Sequence, residues 1–137
     1  MATYDQLNIG DSATFSKTIS EGDVYLFAGI TGDLNPAHMD AVSAAGGMFK
    51  QRIAHGMLSG SFISTVIGMQ LPGPGSIYVG QTLSFRAPVF FGDTLTAKAE
   101  VSEKLEERKW VKLKTTVTNQ DGKLVIDGEA TVIPPKE

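Results

Sequence analysis

The stretch that decides the fold runs from Gly56 to Met69 and reads Gly-Met-Leu-Ser-Gly-Ser-Phe-Ile-Ser-Thr-Val-Ile-Gly-Met. It has no charged side chain on any face. A surface helix would carry a polar stripe along one side, so this composition predicts a helix that is buried almost all round. The stretch is shorter than the ~20 apolar residues needed to cross a bilayer, and its serines and glycines argue further against a membrane span.

After residue 82 the sequence changes from helical to strand periodicity. Apolar and polar residues alternate in four segments, which are residues 83–89, 95–101, 111–117 and 124–132. The last two are joined by Asn-Gln-Asp-Gly at 119–122, a composition typical of a hairpin turn. Four such strands predict an antiparallel sheet with one apolar and one solvated face. Glycines at positions 80, 92 and 128 would help the sheet bend.

An all-apolar helix and a one-sided sheet can bury each other if the sheet curves round the helix. This predicts the α+β fold class, with an antiparallel sheet wrapped around one long central helix. The length of 137 residues fits a single domain over residues 1–137. Before the central helix, residues 13–18 predict a short strand. Ser20 and Asp23 then predict the start of a helix, and Gly32 predicts its end.

Composition excludes several classes of function. The chain has no cysteine, so it forms no disulfide, no thiolate metal site and no cysteine nucleophile. Its net charge is −3, and its lysines and arginines are scattered, which argues against a nucleic-acid partner. Residues 1–6 lack the basic stretch and apolar core of a secretory signal, so we expect a cytoplasmic protein.

The two histidines of the chain, His38 and His55, both lie in unusual local sequence. His38 follows Asp33 by five residues, and a turn containing Pro36 can bring that carboxylate and imidazole to one place. The alternative is that Asp33 caps the next segment, Asn35 forms an Asx turn and His38 is incidental. The residues alone favour this alternative, because Asp, Asn and Pro are common in turns.

His55 and Gly56 open the predicted central helix. The free N–H groups at such an end suit a developing oxyanion, and a glycine allows close approach to the backbone. A plain helix junction with His55 packed at its start explains these residues equally well. Ser64 is kept as a possible orienting group, because a serine nucleophile would lack an identifiable base. Two separated histidines without a helical His-x-x-x-His pair make a metal site unfavourable.

Four blocks of sequence stand in an order that resembles one family. They are Phe-Ala-Gly-Ile-Thr-Gly-Asp-Leu-Asn-Pro-Ala-His-Met-Asp at 27–40, Ile-Ala-His-Gly-Met-Leu at 53–58, Gly-Gln-Thr-Leu-Ser-Phe at 80–85, and Pro-Val-Phe-Phe-Gly-Asp at 88–93. The chain resembles the MaoC-like hydratases, specifically the (R)-specific enoyl-CoA hydratases with the hot-dog fold. The Asp-x-Asn-Pro-x-His block is the most specific part of this resemblance, which covers nearly the whole chain.

The resemblance implies a homodimer with active sites near the subunit interface. The substrate would be a trans-2-enoyl thioester of coenzyme A, hydrated to the (3R)-hydroxyacyl thioester without a cofactor or metal. Asp33 and His38 would form the catalytic pair, and the backbone N–H of Gly56 would meet the thioester oxygen. Asn35 and Ser64 would position the pair or the water.

Physical chemistry supports these roles. A neutral imidazole accepts a proton near neutral pH, so we assign His38 as base and Asp33 as acid, although a shared water could allow the roles to exchange. Further candidates for substrate binding are Met48 and Phe49 at the acyl chain and Arg52 and Arg86 at the phosphates of CoA. Three other functions stay open, namely a hot-dog thioesterase, an acyl-carrier-protein dehydratase and a non-catalytic acyl-CoA-binding domain.

Overall fold

The computed structural model describes residues 1–137, which form four helices and six strands. In chain order these are β1 (Ser12–Thr18), α1 (Glu21–Thr31), α2 (Pro36–Met39), α3 (Ala41–Ala45), α4 (Gly56–Met69), β2 (Ile77–Gln81), β3 (Ser84–Phe85), β4 (Thr94–Leu105), β5 (Trp110–Thr118) and β6 (Leu124–Ile133). All strands join one antiparallel sheet in the order β1-β4-β5-β6-β2, and β3 also pairs with β6. No helix has the length and apolar character needed to span a membrane.

Helix α4 packs against β1, β4 and β5, and this contact forms the centre of the core. Ile63 and Val66 of the helix are fully buried, as are Leu95 of β4 and Leu113 of β5. The burial alternates along β4 and β5 as the sequence pattern requires, because successive side chains of a strand point to opposite faces. The predicted α+β hot-dog arrangement of a sheet around one helix is confirmed.

The predicted hairpin turn at 119–122 is also confirmed. The side chain of Asn119 accepts hydrogen bonds from the backbone N–H groups of Asp121 and Lys123, both at 3.0 Å. Gly122 has a φ of 74°, a left-handed conformation that glycine adopts without strain. This turn fixes the register between β5 and β6.

The strand predicted over residues 83–89 is wrong beyond its first part. Only Ser84 and Phe85 form β3, and the chain then leaves the sheet. Pro88 has no N–H to donate to a strand ladder, which prevents the strand from continuing. The carbonyl of Val89 instead accepts from the N–H of Ala54 at 2.8 Å, which ties this loop to the start of α4. Strand β2, missing from the prediction, is an edge strand with three consecutive exposed apolar residues, so no alternation marks it in the sequence.

The prediction that the central helix is buried almost all round is wrong for the single chain. One face of α4 stays exposed, with Met57 and Met69 at 56% and 70% exposure. This face lies beside the edge strand β2 and includes Ser61 and Ser64. The lack of charge on α4 therefore reflects both a buried face and an uncharged exposed face.

Helix α1 has the ends that the sequence predicts. The side chain of Ser20 accepts from the N–H of Asp23, whose carboxylate accepts from the N–H of Ser20 in return. Gly32 ends the helix with a φ of 79°. Four residues later Pro36 begins α2 as the first helical residue. Because Gly32 ends α1 and Pro36 begins α2, Asp33 lies in a short loop between the two helices.

Gly128 of β6 gives a test of the fold. A Cβ there would lie 1.9 Å from the carbonyl oxygen of Thr82, where the chain crosses β6 between β2 and β3. We expect Gly128→Ala to lower the free energy of unfolding by about 1–3 kcal/mol or more, through forced backbone movement. Gly29→Ala in α1 is the matched control, because nothing lies within 4 Å of its Cβ position. Urea unfolding should show that the control is no less stable than the wild type, and an unchanged Gly128→Ala protein would contradict the crossing.

Candidate active site

The loop between α1 and α2 positions the first site residue, Asp33. Its N–H donates to the hydroxyl of Thr31 at 3.2 Å, and its carboxylate accepts from the N–H of Asn35 at 3.3 Å. The side chain of Asn35 accepts from the N–H of Ala37 and so caps α2. The turn chemistry considered from the sequence is therefore present at Asn35, and it leaves the Asp33 carboxylate exposed with only one weak local partner.

His38 lies in α2 and is held in one tautomer. Its Nδ1 lies 2.7 Å from the carbonyl oxygen of Ile53, which can only accept a hydrogen bond. The hydrogen of the neutral ring is therefore on Nδ1, and Nε2 carries a lone pair with no partner in the chain. His38 is 9% exposed, so this lone pair belongs to a ring that is otherwise surrounded by protein. This arrangement suits a general base.

His55 lies directly beside His38 and has the opposite tautomer. Its Nε2 lies 2.9 Å from the carbonyl oxygen of Asp33, so the hydrogen is on Nε2. The two imidazole rings stack with centroids 3.9 Å apart and planes 27° apart. His55 is 2% exposed, and its Nδ1 is buried without a hydrogen-bond partner. The ring of Phe27 covers it from another side at 4.9 Å.

Asp33 lies close to both histidines. One carboxylate oxygen of Asp33 and one ring nitrogen of each histidine all lie within 4.8 Å of one another. A water that makes two hydrogen bonds of about 2.8 Å at a tetrahedral angle joins groups about 4.6 Å apart. The limit of 4.8 Å between a carboxylate oxygen of Asp33 and a ring nitrogen of His38 is compatible with one shared water.

The same three side chains invite the question of a metal ion. An imidazole lone pair lies in the plane of its ring, and the rings of His38 and His55 are stacked rather than convergent. Two such lone pairs cannot both reach one ion at the bond length of about 2.0–2.1 Å typical of zinc. The donor set is therefore a poor fit to a metal, and the metal-free site stays a prediction.

Gly56 begins α4 next to this cluster. No side chain caps this end of the helix, so its first N–H groups are available to a ligand. A Cβ on Gly56 would lie 2.8 Å from the ring of Phe85, so glycine is needed for that ring to cover the helix end. The sequence analysis explained the glycine at position 56 by close approach of a substrate to the backbone. It did not predict the contact with Phe85.

A cavity of about 310 Å³ lies beside Gly56 and is mostly apolar. Phe49, Phe85, Val89 and Val125 are among its walls. Ser59 also lines it, and its hydroxyl is fully buried without a partner, a feature that sequence reasoning did not detect. This cavity gives a ligand at the start of α4 an apolar space of small-molecule size.

Ser64 faces a different cavity, of about 380 Å³, between the exposed face of α4 and β2. Tyr78 and Leu83 line the same cavity, and burial raises the pKa of Tyr78 to about 12. Ser64 makes no hydrogen bond with Asp33 or His38 within the chain. Its orienting role stays a prediction.

The two candidate arginines differ in availability. Arg52 donates to the hydroxyl of Tyr25 at 2.7 Å and to Glu21 at 3.1 Å, and it stacks over the ring of Phe91 at 4.8 Å. A hydrogen bond from Tyr25 lowers the pKa of Glu21 most, and a hydrogen bond from Arg52 lowers it further. Arg52 therefore fastens α1 to the loops near the site, a structural role that the prediction of phosphate binding did not include.

Arg86 lines the cavity beside Gly56, and its only ion pair is a long one of 3.9 Å to Asp127. It is more available to a ligand than Arg52 for that reason. Phe49 lines the same cavity, which agrees with a place near the substrate. Met48 is 85% exposed and does not line that cavity, so the single chain does not place it at the predicted acyl site.

Fold and site together define a hot-dog protein with a carboxylate and an imidazole at the start of its central helix. Residues 6–123 match the family described as the MaoC like domain. The chain belongs to this family.

Individual relatives are similar over almost their whole length. An (R)-specific enoyl-CoA hydratase of Rhodospirillum rubrum is 54% identical over 132 residues, which cover 96% of this chain and 91% of the relative. A 3-hydroxybutyryl-CoA dehydratase of Methylorubrum extorquens is 46% identical over 134 residues, 98% of this chain and 85% of the relative. Among solved structures, an unliganded R-hydratase from Pseudomonas aeruginosa superimposes with a TM-score of 0.93 at 51% identity, covering 98% of this chain and 86% of that one.

The stacked histidines should show opposite tautomers in solution. We expect nitrogen-15 NMR at alkaline pH to find the hydrogen of His38 on Nδ1 and that of His55 on Nε2, as their carbonyl partners require. The spectrum contains only two imidazoles, so His55→Gln assigns both by removing one. Finding both rings in the Nε2–H form would contradict the geometry described for His38.

Proposed function

We propose that the protein is an (R)-specific enoyl-CoA hydratase, a hydro-lyase that adds water reversibly to trans-2-enoyl-CoA to give (3R)-3-hydroxyacyl-CoA. The observation that carries this proposal is that a ring nitrogen of His38 lies within 4.8 Å of a carboxylate oxygen of Asp33, while Nε2 of His38 has no partner in the chain. The named activities of the relatives at 54% and 46% identity support the same reaction class. The reaction needs no cofactor, which stays a prediction from the sequence.

The proposed chemistry assigns each group one step. His38 accepts a proton from the shared water as its oxygen bonds to C3 of the enoyl group. The electron pair of the double bond moves toward the thioester, whose oxygen gains negative charge as an enolate. The N–H of Gly56 stabilises this charge, and one such donor is typically worth ~3 kcal/mol. Asp33 enters the step as the neutral carboxylic acid and delivers its proton to C2, and proton transfer from protonated His38 to the resulting carboxylate through solvent restores the site.

The surroundings of Gly56 support a thioester substrate at this position. A thioester oxygen at the start of α4 would lie beside the apolar cavity lined by Phe49 and Phe85. Arg86 at that cavity is the cation we propose for contact with the CoA moiety, because its guanidinium is largely uncommitted. The place of Met48 and Arg52 in substrate binding is part of the same proposal and has less support from their contacts.

One assay separates hydration from the other candidate functions. Crotonyl-CoA incubated with the purified protein should lose its enoyl absorbance without release of free thiol, and the product should be the (3R) isomer. Free thiol would instead identify a thioesterase. Activity confined to the acyl-carrier-protein thioester would identify the dehydratase, and no reaction with either would leave an acyl-CoA-binding domain.

Substitution of either acid/base residue should remove hydration. We expect Asp33→Asn and His38→Gln each to lower kcat by about 100-fold or more, because each loses one proton transfer. Asp121→Asn is the control, since it removes an exposed carboxylate of the hairpin turn that does not line the cavity beside Gly56. Steady-state rates with crotonyl-CoA and a circular dichroism spectrum of each variant give the comparison. A folded variant with the wild-type rate would contradict a catalytic role and would leave Asp33 and His38 as ordinary turn residues.

We further propose a homodimer, with the second copy covering the exposed face of α4 and the edge of β2. Ile77 and Val79 of β2 are 60% and 45% exposed, and the uncharged face of α4 adjoins them. An unpaired edge strand next to an apolar surface is normally covered in soluble proteins. The cytoplasmic location expected from the sequence stays a prediction.

A charge on this surface should weaken the dimer. We expect sedimentation velocity to find the wild type as a dimer and Val79→Glu shifted toward monomer, because burying an unpaired carboxylate is costly. Ile9→Glu is the control, since Ile9 is 67% exposed and lies outside the α4 and β2 surface. A wild-type monomer, or an equal effect of both substitutions, would overturn the proposed interface.

A further inference from the structure

The Asp33 loop has one hydrogen bond to a distant part of the chain, and His55 makes it. The other bonds of residues 32–35 go to neighbours between Ala28 and Met39. Only the Nε2–H of His55, which donates to the Asp33 carbonyl at 2.9 Å, reaches from the start of the central helix. Asp33 itself is exposed and has no other contact of this kind. Without His55, no hydrogen bond in the chain would tie the loop directly to the start of α4.

His55 contacts the second acid/base residue as well. Its ring stacks on that of His38 with the two centroids 3.9 Å apart. This contact limits rotation of the His38 ring about its hydrogen bond to the carbonyl of Ile53. The same imidazole therefore fixes both partners through two different parts of its structure, an edge for Asp33 and a face for His38. The backbone after it leads directly into Gly56.

The burial of His55 is unfavourable for stability alone. Its Nδ1 is buried without a partner, and an unsatisfied buried acceptor lowers stability. A phenylalanine would fill the same space between Phe27 and His38 without an orphan polar atom. A histidine here has an advantage only through the hydrogen bond from Nε2.

We propose that His55 is a positioning residue for the hydration reaction, which holds the Asp33 loop through Nε2–H and supports the His38 ring through its face. This inference rests on the proposed function of the same site. His55 makes no direct contact with the reacting atoms.

Two substitutions at position 55 separate the two contacts. His55→Phe keeps a flat ring against His38 and removes the donor to Asp33. His55→Gln removes the ring and places an amide N–H where Nε2–H lies. Tyr4→Phe is the matched control, because it deletes another buried, unpartnered polar atom in a core residue outside the site.

The hydrogen bond should carry the larger effect. We expect His55→Phe to lower kcat for crotonyl-CoA by about 10- to 100-fold with little change in KM, since misplaced catalytic groups lose rate rather than binding. His55→Gln should recover at least part of that loss, and Tyr4→Phe should match the wild type. The Tm of His55→Phe should stay close to that of the wild type while kcat falls. A purely structural role for His55 would instead require both to fall together.

Three results would overturn the proposal. They are a wild-type kcat in His55→Phe, an equal loss of kcat in His55→Gln and His55→Phe, and an effect on KM alone. If His55→Phe does not fold, His55→Leu replaces it, because leucine also removes the donor to Asp33, and the same comparison with His55→Gln decides. A wild-type protein without hydratase activity would instead refute the proposed function, so the two failures are distinct.

Discussion

The extended segment Ile53–His55, immediately before the central helix, holds the Asp33 loop and His38 in place. The carbonyl of Ile53 accepts from His38, its N–H donates to the carbonyl of Ala37, and the ring of His55 donates to Asp33. The segment is itself fixed, because the N–H of Ala54 donates to the carbonyl of Val89. The proposed base, the proposed acid and a helix N-terminus are thus held in fixed relative positions by three consecutive residues.

Much of the fold follows from periodicity in the sequence. The bounds of α4 and the inward faces of β4 and β5 were predicted, because an uncharged stretch and a strict two-residue alternation each have one favourable burial. The short β3 and the edge strand β2 were not, since Pro88 interrupts one and the other has no alternating pattern. The exposed face of α4 was missed because uncharged residues look the same whether they face a core or a second chain.

The site was only partly predictable for a physical reason. Asp33, His38 and Gly56 stand out by residue type and by family resemblance, but the role of His55 depends on contacts across the fold. The sequence places Asp33 and His55 22 residues apart and contains no sign of their hydrogen bond. The same holds for Phe85 over Gly56 and for the buried hydroxyl of Ser59. Long-range packing, rather than local preference, determines these features.

The central claim is that Asp33 and His38 act on one shared water. A double-mutant cycle with Asp33→Asn, His38→Gln and the combined variant measures this most directly, through kcat/KM for crotonyl-CoA. Groups that serve one step are strongly non-additive, so the account predicts that the combined variant is hardly slower than the slower single variant. Losses that multiply in the combined variant would show that the two residues act independently and would contradict the shared water.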